Sequence, residues 1–176
     1  MTPEFLIREA TDDDGEALAA LLAREWAAYG ATLSQAENKM LAQPASAFAD
    51  AGGRLWLVTR DGDVAGSLGV APAARPGEFE LRLLCLETSA RGQGLAAALV
   101  VGADAFAAAS GAARLDAWVD ERLADGVACL ERQGFVRDPG VRRRGDDERA
   151  LDAHYSREVA SEISSQPSED RPAAGG

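Results

Sequence analysis

The chain has 176 residues, 29 acidic and 18 basic, for a formal charge of −11. That length suits one domain able to bury its own core. So acidic a balance argues against nucleic acid or an anionic membrane surface as partner, because both are met by a basic face. The N-terminal stretch lacks a basic region followed by an apolar one, and no apolar run nears the length of a membrane span, so a cytoplasmic location is expected.

In chain order, Phe5 to Glu9 alternates and predicts a strand. Thr11 followed by Asp12, Asp13 and Asp14 reads as a helix start, since a hydroxyl caps free amides and acids suit the positive end. Leu18, Leu21, Leu22, Trp26 and Tyr29 then recur at helical spacing up to a stop at Gly30. Ser34 to Leu41 and Pro44 to Phe48 predict two short helices broken at Pro44. Arg54 to Thr59 and Val64 to Val70 flank Asp61-Gly62 and predict a hairpin. Phe79 to Leu86 predicts a long strand, nearly continuously apolar in its second half and so expected to be buried on both faces. Leu95, Leu99, Gly102 and Phe106 mark a long helix, Leu115 to Val119 a strand, and Leu123, Val127 and Leu130 another helix closed by Gly134. Phe135-Val136 starts a further strand, Arg142 to Arg149 reads as a charged loop, and Leu151 to Val159 as the last strand. Residues 160–176 hold almost no large apolar side chain and predict a disordered tail. The order implies an α/β (α+β) layered domain with a mixed sheet flanked by helices.

Two cysteines, Cys85 and Cys129, sit in apolar runs without metal-site or redox spacing, and read as buried free thiols. With one histidine, His154, no histidine metal site is expected, and no metal at all.

The chemistry concentrates in Leu83 to Val100, where a strand runs through Arg91-Gly92-Gln93-Gly94-Leu95-Ala96 into a helix. The first amides of a helix lack intrahelical partners and carry partial positive charge, and glycines let an anion approach them. With Arg91 beside them they suit a diphosphate. The turn is neither a Walker A loop, lacking Gly-Lys-Ser/Thr, nor the dinucleotide fingerprint, whose third glycine position is Ala97.

Arg91 to Ala96 resembles the Arg/Gln-x-x-Gly-x-Gly/Ala signature of the GNAT N-acetyltransferases. Phe79 to Leu86 resembles that family's fourth strand, Leu115 to Val119 its fifth, and Glu131-Arg132-Gln133-Gly134-Phe135 its helix-ending segment. The resemblance covers about residues 5 to 159. It implies one acyl-CoA N-acyltransferase domain over 1–159, on a mostly antiparallel sheet of six or seven strands whose central parallel pair splays. Acetyl-CoA would lie in the wedge and leave as CoA. Pantetheine would pair with the backbone of Leu84, Cys85 and Leu86, and the diphosphate would meet the amides of Gln93 to Ala96, next to Gly92. The activity implied is transfer of acetyl to a primary amine of a small molecule or protein, by a monomer or homodimer. Glu80 stands where family members carry a base.

The sequence departs from the pattern at Leu130, where the family's acidic tyrosine is usual, and at Leu123, in place of an asparagine. Either the thiolate leaves without a protein acid, or Tyr155, His154, Cys129 or Tyr29 serves. A competing reading is a non-catalytic acyl-CoA-binding or regulatory domain. Plainer roles are expected for several residues: Trp118 in the core, His154 at the surface, and Arg142, Arg143 and Arg144 as solvated loop charges rather than ligands of the CoA 3′-phosphate or an acidic substrate. Glu25, Glu37 and Asp50 are placed where a cationic acceptor would meet them.

Overall fold

A computed structural model describes residues 4–144 and 150–160. Its elements are β1 (Phe5–Glu9), α1 (Gly15–Ala27), α2 (Gln35–Leu41), α3 (Pro44–Asp50), β2 (Arg54–Arg60), β3 (Asp63–Pro72) and β4 (Glu78–Leu86), followed by α4 (Leu95–Ala109), β5 (Arg114–Asp120), α5 (Ala124–Arg132), β6 (Val136–Arg143) and β7 (Leu151–Glu158). The seven strands form one sheet in the order β1-β2-β3-β4-β5-β7-β6, antiparallel throughout except for β4 against β5.

Helix ends follow their local chemistry. Asp14 accepts from the Thr11 amide at 2.7 Å, closing the turn before α1. Ser34 and Glu37 form a reciprocal capping box on α2, with bonds of 2.7 and 3.2 Å. At the end of α5, Phe135 N–H donates to the Leu130 carbonyl and Gly134 N–H to that of Glu131. Gly134 has φ +85°, the left-handed conformation this termination requires.

The sheet buries apolar side chains on both faces. On one, α1 to α3 pack Leu18, Leu22, Trp26 and Phe48 against Leu57 and Leu83. On the other, α4 and α5 pack Leu99, Ala103 and Leu130 against Leu68, Leu81 and Leu115. Gly69 of β3 is required by packing: a Cβ there would lie 2.3 Å from the ring of Phe48, itself fully buried.

Two expectations change. The predicted loop from Arg142 begins too early, because β6 runs through Arg143, pairing Arg142 with Asp152 and Arg143 with Leu151. Strand pairing carries these charges because one side of the β6–β7 ribbon faces a cleft. Nor is β4 buried on both faces along its second half: Leu84 and Leu86 are half-buried and open on a cavity. The remainder of the predicted loop, 145–149, and the predicted tail beyond Ala160 lie outside the described residues. Among the described residues no helix is long and apolar enough to cross a membrane.

Candidate active site

The site originates in an opening of the sheet. β4 and β5 pair from Glu78–Arg114 to Leu81–Ala117 and then separate, although β4 continues to Leu86 and β5 to Asp120. At the parting, β4 bulges: Ser67 of β3 aligns with Cys85 and Gly69 with Arg82, so β4 holds one extra residue. Leu83 there adopts φ +57°, and its carbonyl accepts from the Ser67 hydroxyl at 2.6 Å. The bulge reverses the side-chain alternation. Leu81 packs on the α4 side, whereas Leu83 and Cys85 pack on the α1 side. Leu84 and Leu86 are thereby turned toward the seam, with their backbone free of a β5 partner.

A cavity of about 550 Å3 fills this seam. Leu84, Cys85 and Leu86 line one side, Gly92, Gly94, Leu95, Ala96 and Ala97 the end, and Cys129 and Gly126 of α5 the far side. Gly94 precedes α4 at φ +76°, and no side chain caps the helix. No atom lies within 4 Å of where a side chain would begin at Gly92 or Gly94. The amides opening α4 thus face a space lined by glycine and alanine, which fits the diphosphate of a CoA ester. The unpaired edge of β4 likewise fits an extended amide chain.

Arg91 and Gln93 depart from the simplest expectation. Arg91 lines the cavity, but its guanidinium is tied to Asp125 at 2.7 Å and Glu25 at 3.3 Å, and its Nε to the Leu86 carbonyl at 3.2 Å. It bridges α1 and α5 rather than offering a free charge. The Tyr29 hydroxyl donates to the same Asp125 carboxylate at 2.8 Å. Gln93 does not line the cavity; its side chain donates to the Ser89 carbonyl at 3.1 Å. Burial, reinforced by the Glu25 charge, pushes the Cys85 thiol up to about 12, and burial raises Cys129 as well. Both are packed thiols, although both also line the cavity.

A second cavity, of about 610 Å3, shares Trp26, Leu84, Leu123 and Gly126 with the first. Glu80 lines it, 8% exposed, with Arg142 at 3.1 Å and Arg82 at 3.5 Å. Leu130, the residue replacing the usual acid, lines it too. Trp118 is not core as expected: it walls this cavity, with Arg142 over its ring at 4.6 Å and His154 stacked on it at 4.4 Å. Arg142 and Arg143 of β6, with Arg144 just after it, line this second cavity and not the first, so they are not simply solvated charges and do not face the cavity that fits CoA.

Of the alternative acids, Tyr155 is buried in the α4-side core and His154 is bonded to Asp116 at 2.9 Å, and neither lines a cavity. Tyr29 lines the first. Of the residues placed for a cationic acceptor, Glu25 faces the first cavity, Asp50 faces neither, and Glu37 lines the second but accepts Arg144 on both oxygens.

Sequence reading missed Asp120 and Asp152, cross-strand neighbours that both line the second cavity. Burial raises the Asp152 carboxyl against the pull of Arg144 and Arg142, and nearby Asp120 adds to the rise. For Asp120 burial also acts upward, but the Arg122 bonds outweigh it and hold the group below the usual range. The available signal was the alternation of Asp116, Trp118 and Asp120, which places all three on one face.

The acetyltransferase (GNAT) family model matches residues 16–135. No curated protein matches the chain. Among solved structures, a GNAT-family acetyltransferase of Staphylococcus aureus is similar over 89% of this chain and all of its own, at TM-score 0.76 and 13% identity. An acetyltransferase of Streptococcus agalactiae matches over 88% and 98%, at TM-score 0.73 and 18% identity. A GNAT-superfamily phosphinothricin acetyltransferase of Sinorhizobium meliloti, in complex with acetyl-CoA, matches over 97% and 95%, at TM-score 0.67 and 18% identity. At such identities the likeness is one of fold.

Proposed function

The chain belongs to the GNAT acetyltransferase family, and from that premise we propose that it transfers acetyl from acetyl-CoA to a primary amine. The observation that carries this is the opened seam between β4 and β5, which leads from the uncapped start of α4 to a second, polar cavity. The amides of Leu95 and Ala96, with Gly92 and Gly94, hold the diphosphate, and the backbone of Leu84 to Leu86 pairs with the pantetheine. Acetyl-CoA of the kind bound in the Sinorhizobium structure supplies an activated acyl thioester.

The acceptor amine enters from the second cavity. Glu80 takes its proton, directly or through water, so that a neutral nitrogen attacks. Arg142 and Arg82 fix the orientation of the Glu80 carboxylate. Leu130 offers no proton, and the CoA thiolate leaves without a protein acid. Trp26, Leu123 and Leu130 keep the seam apolar, so water competes poorly for the acyl group.

Leu130 also supports a second reading, an acyl-CoA-binding domain without turnover. Thiol release from acetyl-CoA, measured with a broad amine panel alongside thermal shift with CoA, separates the readings. Release that depends on the amine is the expected result. A shift without release on any amine favours the binding domain, and no shift removes both.

A further inference from the structure

Resting on the CoA reading of the first cavity, we propose that Arg132 of α5 is the side chain that meets the phosphates of the cofactor, in the role from which Arg91 is withdrawn by its acids. Among the described residues, the charged side chains on that cavity's wall are Glu25, Arg91, Asp125 and Arg132. Both carboxylates converge on Arg91, Asp125 at 2.7 Å and Glu25 at 3.3 Å. An incoming phosphate would have to break those ion pairs to reach the Arg91 guanidinium. Arg132 makes no hydrogen bond or ion pair among the described residues, and it is exposed.

Its position follows from the helix. Gly126, Cys129 and Arg132 follow one another at i, i+3 spacing on α5, and all line the first cavity. Gly126, with Leu123 before it, lines the second cavity as well and marks the junction of the two. Arg132 comes six residues later, about 9 Å further along the axis, and lines the first cavity alone. Gly92, Gly94, Leu95 and Ala96 at the start of α4 also line the first cavity alone. The acyl end of the cofactor belongs at the junction, so its phosphates belong where the α4 amides and Arg132 stand.

The Arg132 guanidinium is not needed to close α5. The last carbonyls of that helix are already taken: Gln133 N–H donates to those of Cys129 and Leu130, Gly134 N–H to that of Glu131, and Phe135 N–H to that of Leu130. Burial raises the Cys129 thiol and the Arg132 charge opposes that rise, so the charge is felt at the cavity wall. A guanidinium adds two parallel, charge-assisted bonds to a phosphate that helix amides already orient.

The test measures binding of CoA and of 3′-dephospho-CoA to the full chain by titration calorimetry at low and high salt, for the parent, Arg132→Gln and Arg132→Lys. At low salt Arg132→Gln should weaken CoA binding about fivefold or more, and Arg132→Lys should recover part of the loss. High salt should bring parent and variant together, because an exposed charge is screened whereas a packing defect is not. A loss larger for CoA than for dephospho-CoA assigns the contact to the 3′-phosphate, and equal losses assign it to the diphosphate. Arg132→Gln binding CoA as tightly as the parent overturns the inference and leaves the CoA reading standing. So does a loss that persists at high salt or that lysine does not relieve. A parent chain that binds neither ligand overturns both.

Discussion

Glu80 and Arg142 are 62 residues apart in the chain, and their side chains meet at 3.1 Å on the wall of the second cavity. The same guanidinium reaches Asp152 at 3.6 Å and lies over the Trp118 ring. One arginine of β6 thus couples the proposed base on β4 to a buried acid on β7.

Glu80→Gln keeps the shape of the side chain and an oxygen for Arg142, but removes the proton acceptor. Amine-dependent turnover should fall about a hundredfold or more, with the dissociation constant for acetyl-CoA unchanged. Steady-state kinetics with titration of acetyl-CoA checks this. Turnover within a few-fold of the parent would move the base role elsewhere, first to Asp152.

Gly94→Glu should abolish the thermal stabilisation by CoA, because a carboxylate would stand where the diphosphate belongs. At about a hundred times its dissociation constant a ligand adds roughly 2.7 kcal/mol, so the loss is easily read. Gly94 has φ +76°, and Gly94→Asn separates charge from backbone strain, since asparagine tolerates that conformation. The asparagine variant should keep most of the shift.

Gly69→Ala should destabilise the fold by about 1–3 kcal/mol through overpacking against Phe48. Combining it with Phe48→Leu should cost less than the sum of the single changes, since the smaller side chain relieves the clash. Urea denaturation of the four proteins gives the coupling directly.

Asp14 accepts from Arg8 and Thr11, and these bonds hold its carboxyl at about 2, below the ordinary carboxylate value. A folded pKa below the unfolded one contributes stability that is fully present above the unfolded pKa, near 4, and lost as pH falls toward 2. Asp14→Asn should therefore be less stable than the parent at neutral pH, with the gap closing over that interval. Denaturation at a series of pH values tests both sign and window.

The two thiols should resist iodoacetamide at mildly alkaline pH in the native protein and react fully once unfolded. Burial raises both pKa values, that of Cys85 to about 12, so little thiolate is present to react. Mass spectrometry before and after denaturant reads the outcome.

Local pattern was enough to locate nearly every element. The helical recurrence of Leu18, Leu22 and Trp26, the Asp61-Gly62 hairpin and the terminating Gly134 each carry their signal within a few residues. The same holds for Gly92 and Gly94 before α4, where a tight turn and free amides are properties of adjacent positions. The β6 boundary was misjudged for the same reason: a run of arginines reads locally as solvent-facing, and nothing nearby reveals that Asp152, Glu80 and Trp118 lie opposite.

By itself the sequence determined the order of strands and helices and the glycine turn with free amides at the start of α4, because these depend on periodicity and on neighbours along the chain. Only the tertiary structure decided that Leu84 and Leu86 face a cavity, that Arg91 is already held by Asp125 and Glu25, and that the arginines of β6 line the second cavity. The physical reason is that a one-residue bulge reverses every side chain after it, and that an ion pair depends on distance in space. Neither the register of β4 against β3 nor the meeting of residues 62 positions apart is written in any local stretch.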